Sequence, residues 1–140
     1  MEKESNLPGG SRLIDIPIVS DSRGSLCFAT NASEIPFPIQ RVFWIYDVPT
    51  GEQRGGHSHR TCAEVVVAVK GRFTMTVDDG CSRCSVVLDS PSKGILIPAG
   101  LWCELSHFAS GTVVLVMASQ AYDATGYIND YTLYKKERNA

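Results

Sequence analysis

No stretch of this 140-residue chain is apolar for long enough to cross a bilayer. The longest runs, 65–69 and 112–118, fall far short of the roughly 20 residues that a spanning helix needs. The opening Met1-Glu-Lys-Glu-Ser5 is charged and has no apolar run behind it, so no signal peptide is legible. The expectation is a soluble, cytoplasmic protein with no membrane partner. An excess of positive charge is lacking too. Thirteen Lys and Arg stand against 15 Asp and Glu, a formal net charge of −2, which excludes the broad basic face that nucleic acid requires. A small anion remains accessible, because a few arginines converging locally are enough to hold one. Of the five cysteines only Cys81 and Cys84 form a C-x-x-C, and without a second such pair there is no zinc ribbon. In a protein that is not secreted, all five are expected reduced. Cys81 and Cys84 read as residues of an exposed hairpin.

What is present is ordinary globular composition, 44% hydrophobic and 20% charged, at the length of one domain. Residues 1–11, with Pro8-Gly9-Gly10, read as a flexible leader, and 12–140 as a single domain. Short β-like runs recur about every ten residues, separated by Gly, Pro and Asp. In 13–19, Ile14, Ile16 and Ile18 share one face, and 41–48 is aromatic and β-branched. In 72–77, Phe73, Met75 and Val77 alternate with Arg72, Thr74 and Thr76, and Asp79-Gly80 then signals a hairpin turn. This pattern predicts an all-β sandwich or barrel. Only the tail departs from it: Tyr127, Ile128, Tyr131 and Tyr134 fall near helical spacing ahead of Lys135-Lys136, which predicts a short helix.

The stretch from Gly51 to Gly71 has the spacing G-x5-H-x-H-x4-E-x6-G, with His57, His59 and Glu64 at its fixed positions. This spacing matches the first cupin motif at every position. Two histidines at i and i+2 on a strand share a face, and in a small barrel that face looks inward. The chain has three histidines, and two of them are in this pair. His107 follows Ser106 near a turn and reads as a surface or packing residue. Two chemistries fit the pair. One is a metal site built from His57, His59 and Glu64, with Cys103 where a metal-binding cupin places its last histidine. The other needs no metal: an imidazole of pKa near 6.5 both takes and returns protons at neutral pH. Two of them can divide proton removal and delivery between adjacent carbons, as an isomerisation beside a ketone requires.

Several further stretches carry a resemblance: Asp21-Ser-Arg23-Gly24, Arg41-Val-Phe-Trp-Ile-Tyr46-Asp47, Arg54-Gly-Gly-His57-Ser-His59, Asp78-Asp-Gly80 and Tyr122-Asp-Ala-Thr-Gly-Tyr127-Ile-Asn-Asp-Tyr131. In order and distance they resemble the nucleotide-sugar 3,4-ketoisomerases, metal-independent cupins acting on dTDP-4-keto-6-deoxyglucose, over about residues 13–136. The resemblance implies a cupin jelly roll and a homodimer that exchanges an N-terminal strand. It implies a dTDP-linked keto-deoxyhexose substrate, no cofactor and no metal, and transfer of the keto group from C4 to C3 through an enediol. It implies His57 and His59 as the catalytic pair and Arg23 and Arg54 as holders of the diphosphate. Tyr46, Trp44, Trp102 and Glu64 complete the expected substrate-binding set. Trp44 stands where the family commonly has a tyrosine, and Cys103 where it often has a histidine. Those departures keep two alternatives in view: a metal-dependent cupin enzyme using His57, His59 and Glu64, and a sugar-nucleotide-binding cupin without catalysis. A 3,5-epimerase is a third, but no second long catalytic motif supports it.

Overall fold

Alternating apolar residues in short strands need a second layer to cover their inward faces, and here two sheets cover each other. In the computed structural model of the protein, residues 7–31 and 33–140 are described. The strands are β1 (Arg12–Asp15), β2 (Ile18–Asp21), β3 (Gly24–Cys27), β4 (Arg41–Tyr46), β5 (Arg54–His59), β6 (Glu64–Lys70), β7 (Phe73–Asp78), β8 (Arg83–Leu88), β9 (Lys93–Ile97), β10 (Trp102–Ser106), β11 (Val113–Ala118) and β12 (Tyr127–Ile128). One five-stranded sheet has the order β1-β9-β6-β11-β4 and the other β12-β5-β10-β7-β8. All the strand pairings are antiparallel. The sheets stack without closing into a barrel, so the all-β jelly-roll expectation holds as a sandwich. Phe73, Met75 and Val77 point into the core that the sheets enclose, with Leu105 beside them on β10 and Val66, Ile95 and Val114 on the facing sheet.

Two local readings change. The run 13–19 is not one strand. Pro17 cannot donate to a ladder, and it separates β1 from β2. Ile14 and Ile16 stay buried while Ile18 is exposed. The tail is only partly helical: Tyr127 and Ile128 pair with β5 as β12, and helix α1 (Tyr131–Arg138) begins after them. Asp130 caps α1, its side chain accepting from the Leu133 N–H. Tyr134 ties the helix to the sheet by donating from its hydroxyl towards the carbonyls of Asp78 (3.0 Å) and Gly100 (2.7 Å). Burial pushes that phenol up to about 12. Of the leader expected over 1–11, residues 1–6 lie outside the described residues. Pro8 and Ser11 are buried, and Leu7 packs against the main core.

Candidate active site

The histidine strand reaches its position through glycine. Along β5 and β10, Cys103 pairs with His57 but Glu104 pairs with Gly55, so Gly56 is an extra residue, a β-bulge. Gly55 (φ 79°) and Gly56 (φ 71°) occupy the left-handed region that side chains disfavour. A Cβ on Gly55 would also come within 3.1 Å of the Cys103 carbonyl oxygen. The Arg-Gly-Gly-His order is therefore a backbone requirement: the bulge bends β5 just before His57.

Between the β4 end of one sheet and the β5–β12 end of the other lies a cavity of about 340 Å³. Phe43 and Ile45 of β4, Val66, Met75, Leu105 and Val116 form its apolar wall. Arg54, His57, Glu64, Cys103, Tyr122, Tyr127 and Asn129 form its polar one. A largely apolar cleft with a few convergent polar groups is the usual form of a small-molecule site.

His57 and His59 share the inward face, with ring centroids 4.9 Å apart and edge to face. They are not equivalent. His57 is on the cavity wall. His59 is only 6% exposed and stands behind it, with Nε2 3.0 Å from Glu64 Oε2. That approach lacks the direction of a hydrogen bond, and neither atom has a hydrogen-bonding partner. Burial, with the second imidazole beside it, holds the proton affinity of His57 below the ordinary imidazole value, and Glu64 opposes the shift. His57 is thus a neutral base at physiological pH. Burial also pushes the Cys103 thiol far above its ordinary range. Cys103 is therefore a small neutral wall residue with little thiolate character. Among the described residues, no three His, Cys, Asp or Glu side chains are arranged to hold a metal ion.

The structure brings His57, Arg54 and Glu64 to the cavity with His59 directly behind, and leaves the other expected residues elsewhere. Trp44 and Tyr46 alternate with Phe43 and Ile45, so they face outward from β4 and are 60% and 59% exposed. The period-2 geometry of a strand turns them away from that cavity, and they line an open groove that Arg54 also borders. Trp102 is likewise off the wall. It is buried against Tyr131 and Tyr134, and its indole N–H donates to Glu104 Oε2 at 2.8 Å. Arg23 sits in the β2–β3 ribbon, its side chain 88% exposed and paired with Asp21 at 2.7 Å. His107 is exposed on the loop after β10 and contacts the Ser106 hydroxyl. Cys81 is exposed in the β7–β8 hairpin, and all the described cysteines are free thiols.

Two residues that motif spacing does not flag complete the centre. Tyr127 lies opposite His59 across the β12–β5 pair. Its ring centroid is 4.4 Å from that of His59 and 5.0 Å from that of His57. Arg41 reaches over from β4, its Nη2 donating to the Tyr127 hydroxyl at 3.3 Å. Both residues fall within stretches quoted above, yet their proximity follows from strand pairing between distant segments.

The family model described as FdtA: WxcM-like, C-terminal matches residues 9–139. A TDP-4-oxo-6-deoxy-alpha-D-glucose-3,4-oxoisomerase from Aneurinibacillus thermoaerophilus is 37% identical over 126 residues, covering 90% of this chain and 91% of that protein. A 3,4-ketoisomerase from Helicobacter canadensis superposes with a TM-score of 0.91 at 32% identity, covering 94% of this chain and 98% of its own. A mutant of the 3,4-ketoisomerase QdtA from Thermoanaerobacterium thermosaccharolyticum, solved with TDP-4-keto-6-deoxyglucose, superposes with a TM-score of 0.90 at 32% identity, covering 92% and 94%.

Proposed function

The chain belongs to the FdtA (WxcM-like, C-terminal) family, and from that premise we propose that it is an isomerase moving the keto group of a TDP-linked 4-keto-6-deoxyhexose from C4 to C3. The observation that carries this reading is a neutral His57 on the wall of a cleft, backed edge to face by His59 and flanked by Arg54. A C–H beside a ketone is acidic enough for a neutral imidazole to remove when the base is held in place and the developing enediolate is stabilised. His57 serves as the base at the carbon. His59 packs edge to face on its ring, and the Glu64 carboxylate offsets the charge it acquires. Arg54, exposed at the wall, has the donor fork to meet a diphosphate. No metal takes part in this scheme. The test is to incubate the purified protein, in chelator and D2O, with TDP-4-keto-6-deoxyglucose. The expected result is a 3-keto product carrying deuterium at C4. Intact, unlabelled substrate refutes the reading, and activity that chelator abolishes refutes its metal-free part.

The working unit we propose is a homodimer with exchanged N-terminal strands. The β2–β3 ribbon forms a sheet of its own and exposes Ile18, Val19 and Leu26, with Phe28 just beyond it. A lone two-stranded ribbon is marginal in water, and Val42, Trp44 and Tyr46 offer a second apolar stripe on the outer face of β4. Both are what a second copy would cover. Sedimentation should give a dimer that Leu26→Glu dissociates. A wild-type monomer at micromolar concentration refutes it.

A further inference from the structure

Moving a ketone to the neighbouring carbon demands more than a base at carbon. As the C3 proton leaves, an electron pair arrives on the C4 oxygen, and later a proton must leave the C3 hydroxyl. Something must serve the two oxygens. The inward residues of β4 are Phe43 and Ile45, which carry no hydroxyl. The phenols on the wall are Tyr122 and Tyr127, and only Tyr127 touches both imidazoles. Its hydroxyl accepts from Arg41 Nη2 at 3.3 Å, which leaves its own proton to donate elsewhere. Among the described residues no carboxylate is within ion-pair distance of Arg41. Its Nε is buried without a hydrogen-bonding partner, and the guanidinium lies 5.1 Å from the Phe43 ring centre and 5.7 Å from that of Tyr122. An arginine left unneutralised in such surroundings directs its field at the one oxygen it binds.

Resting on the functional reading above, we infer that Tyr127 is a catalytic residue, a proton relay between the two sugar oxygens, and that Arg41 is its positioning residue. His57 takes the C3 proton, the C–H pair becomes the C3–C4 double bond, and the carbonyl pair moves onto the C4 oxygen. Tyr127 gives that oxygen its proton, and Arg41 faces the charge left on the phenol oxygen. Tyr127 then takes the proton from the C3 hydroxyl and the C3 carbonyl forms. The imidazolium of half-buried His57 exchanges its proton with solvent, and the double-bond pair collects a solvent-derived proton at C4 from it. Tyrosine and histidine return to their starting states, and no oxidant or reductant is consumed.

The test compares wild type, Tyr127→Phe, Arg41→Lys, Arg41→Met and the Tyr127→Phe/Arg41→Met double variant. It measures turnover of TDP-4-keto-6-deoxyglucose, deuterium wash-in at C3 and C4 from D2O, and TDP affinity. Phenylalanine keeps the ring contacts, so TDP affinity should stay within about twofold, which also certifies the fold. Loss of the hydroxyl should lower kcat about 10²- to 10³-fold, the usual effect of removing one donor at a developing oxyanion. Arg41→Lys should retain more activity than Arg41→Met, and Arg41→Met should cost nothing further once Tyr127 is Phe. Tyr127→Phe turning over within about threefold of wild type overturns the relay while leaving the isomerase reading intact. Additive losses at the two positions overturn the role of Arg41. A wild-type protein that neither converts nor labels the ketosugar overturns both the reading and the relay.

Discussion

Replacing His57 by Asn tests the centre most directly. Among the described residues it is the imidazole on the cavity wall, and its half-buried, neutral state means that Asn removes no charge the fold depends on. A positioned general base is worth about 10²- to 10⁴-fold in rate. At 1.36 kcal/mol per decade, that is about 3 to 5 kcal/mol of transition-state stabilisation. Stability should change little, since one half-buried polar side chain replaces another. The pH dependence carries the sharper signature. Burial and the neighbouring His59 lower the folded proton affinity of His57 below the ordinary 6.5. The base therefore stays neutral as pH falls past 6.5 and is lost only lower down. Measured by NMR of the sugar from about pH 5 to about pH 9, kcat/KM for wild type should be flat near neutrality and fall on an acidic limb centred below 6.5. The same shift means that the unfolded chain binds the proton first, so stability should decline as pH drops from 6.5 towards the folded value. A His57→Asn enzyme within tenfold of wild type, or an acidic limb centred above pH 7, refutes the assignment. His107→Asn, on an exposed loop, serves as the control without effect.

Arg54→Ala should weaken TDP binding roughly tenfold, a figure set low because the side chain is exposed and screened; calorimetry at two salt concentrations checks it, and unchanged affinity removes Arg54 from the diphosphate. Titration of the native protein with a thiol reagent at pH 8 should find Cys81 fast and Cys62 and Cys103 silent until denaturant is added, because both are buried and burial keeps the Cys103 thiol protonated. Labelling of Cys103 in the folded protein by mass spectrometry contradicts this. Tyr134→Phe removes the donor to the Asp78 and Gly100 carbonyls and should cost about 1–2 kcal/mol in urea unfolding. The cost stays at the low end because the Gly100 carbonyl oxygen keeps its bond from Arg138 at 2.9 Å.

Short-range pattern was enough to specify the β class, the inward alternation of Phe73, Met75 and Val77, and the shared face of His57 and His59, because a strand's period of two belongs to the local chain. The glycines ahead of His57 were visible as part of a motif, but their purpose was not. A bulge exists only relative to a partner strand, and β10 lies more than forty residues on. Trp44 and Tyr46 show the converse. Residue type and a family likeness put them in the site, while the pairing of β4 with β11 turned Phe43 and Ile45 inward instead. Tyr127 falls in the run of near-helical spacing, and nothing nearby in the chain shows that it will lie across from His59. The primary structure by itself determined which groups are available and which neighbours share a face. Only the folded sandwich decided which faces meet, where the sheets fail to close, and hence which imidazole, phenol and guanidinium come together, because such contacts join segments whose separation along the chain holds no information about their distance in space.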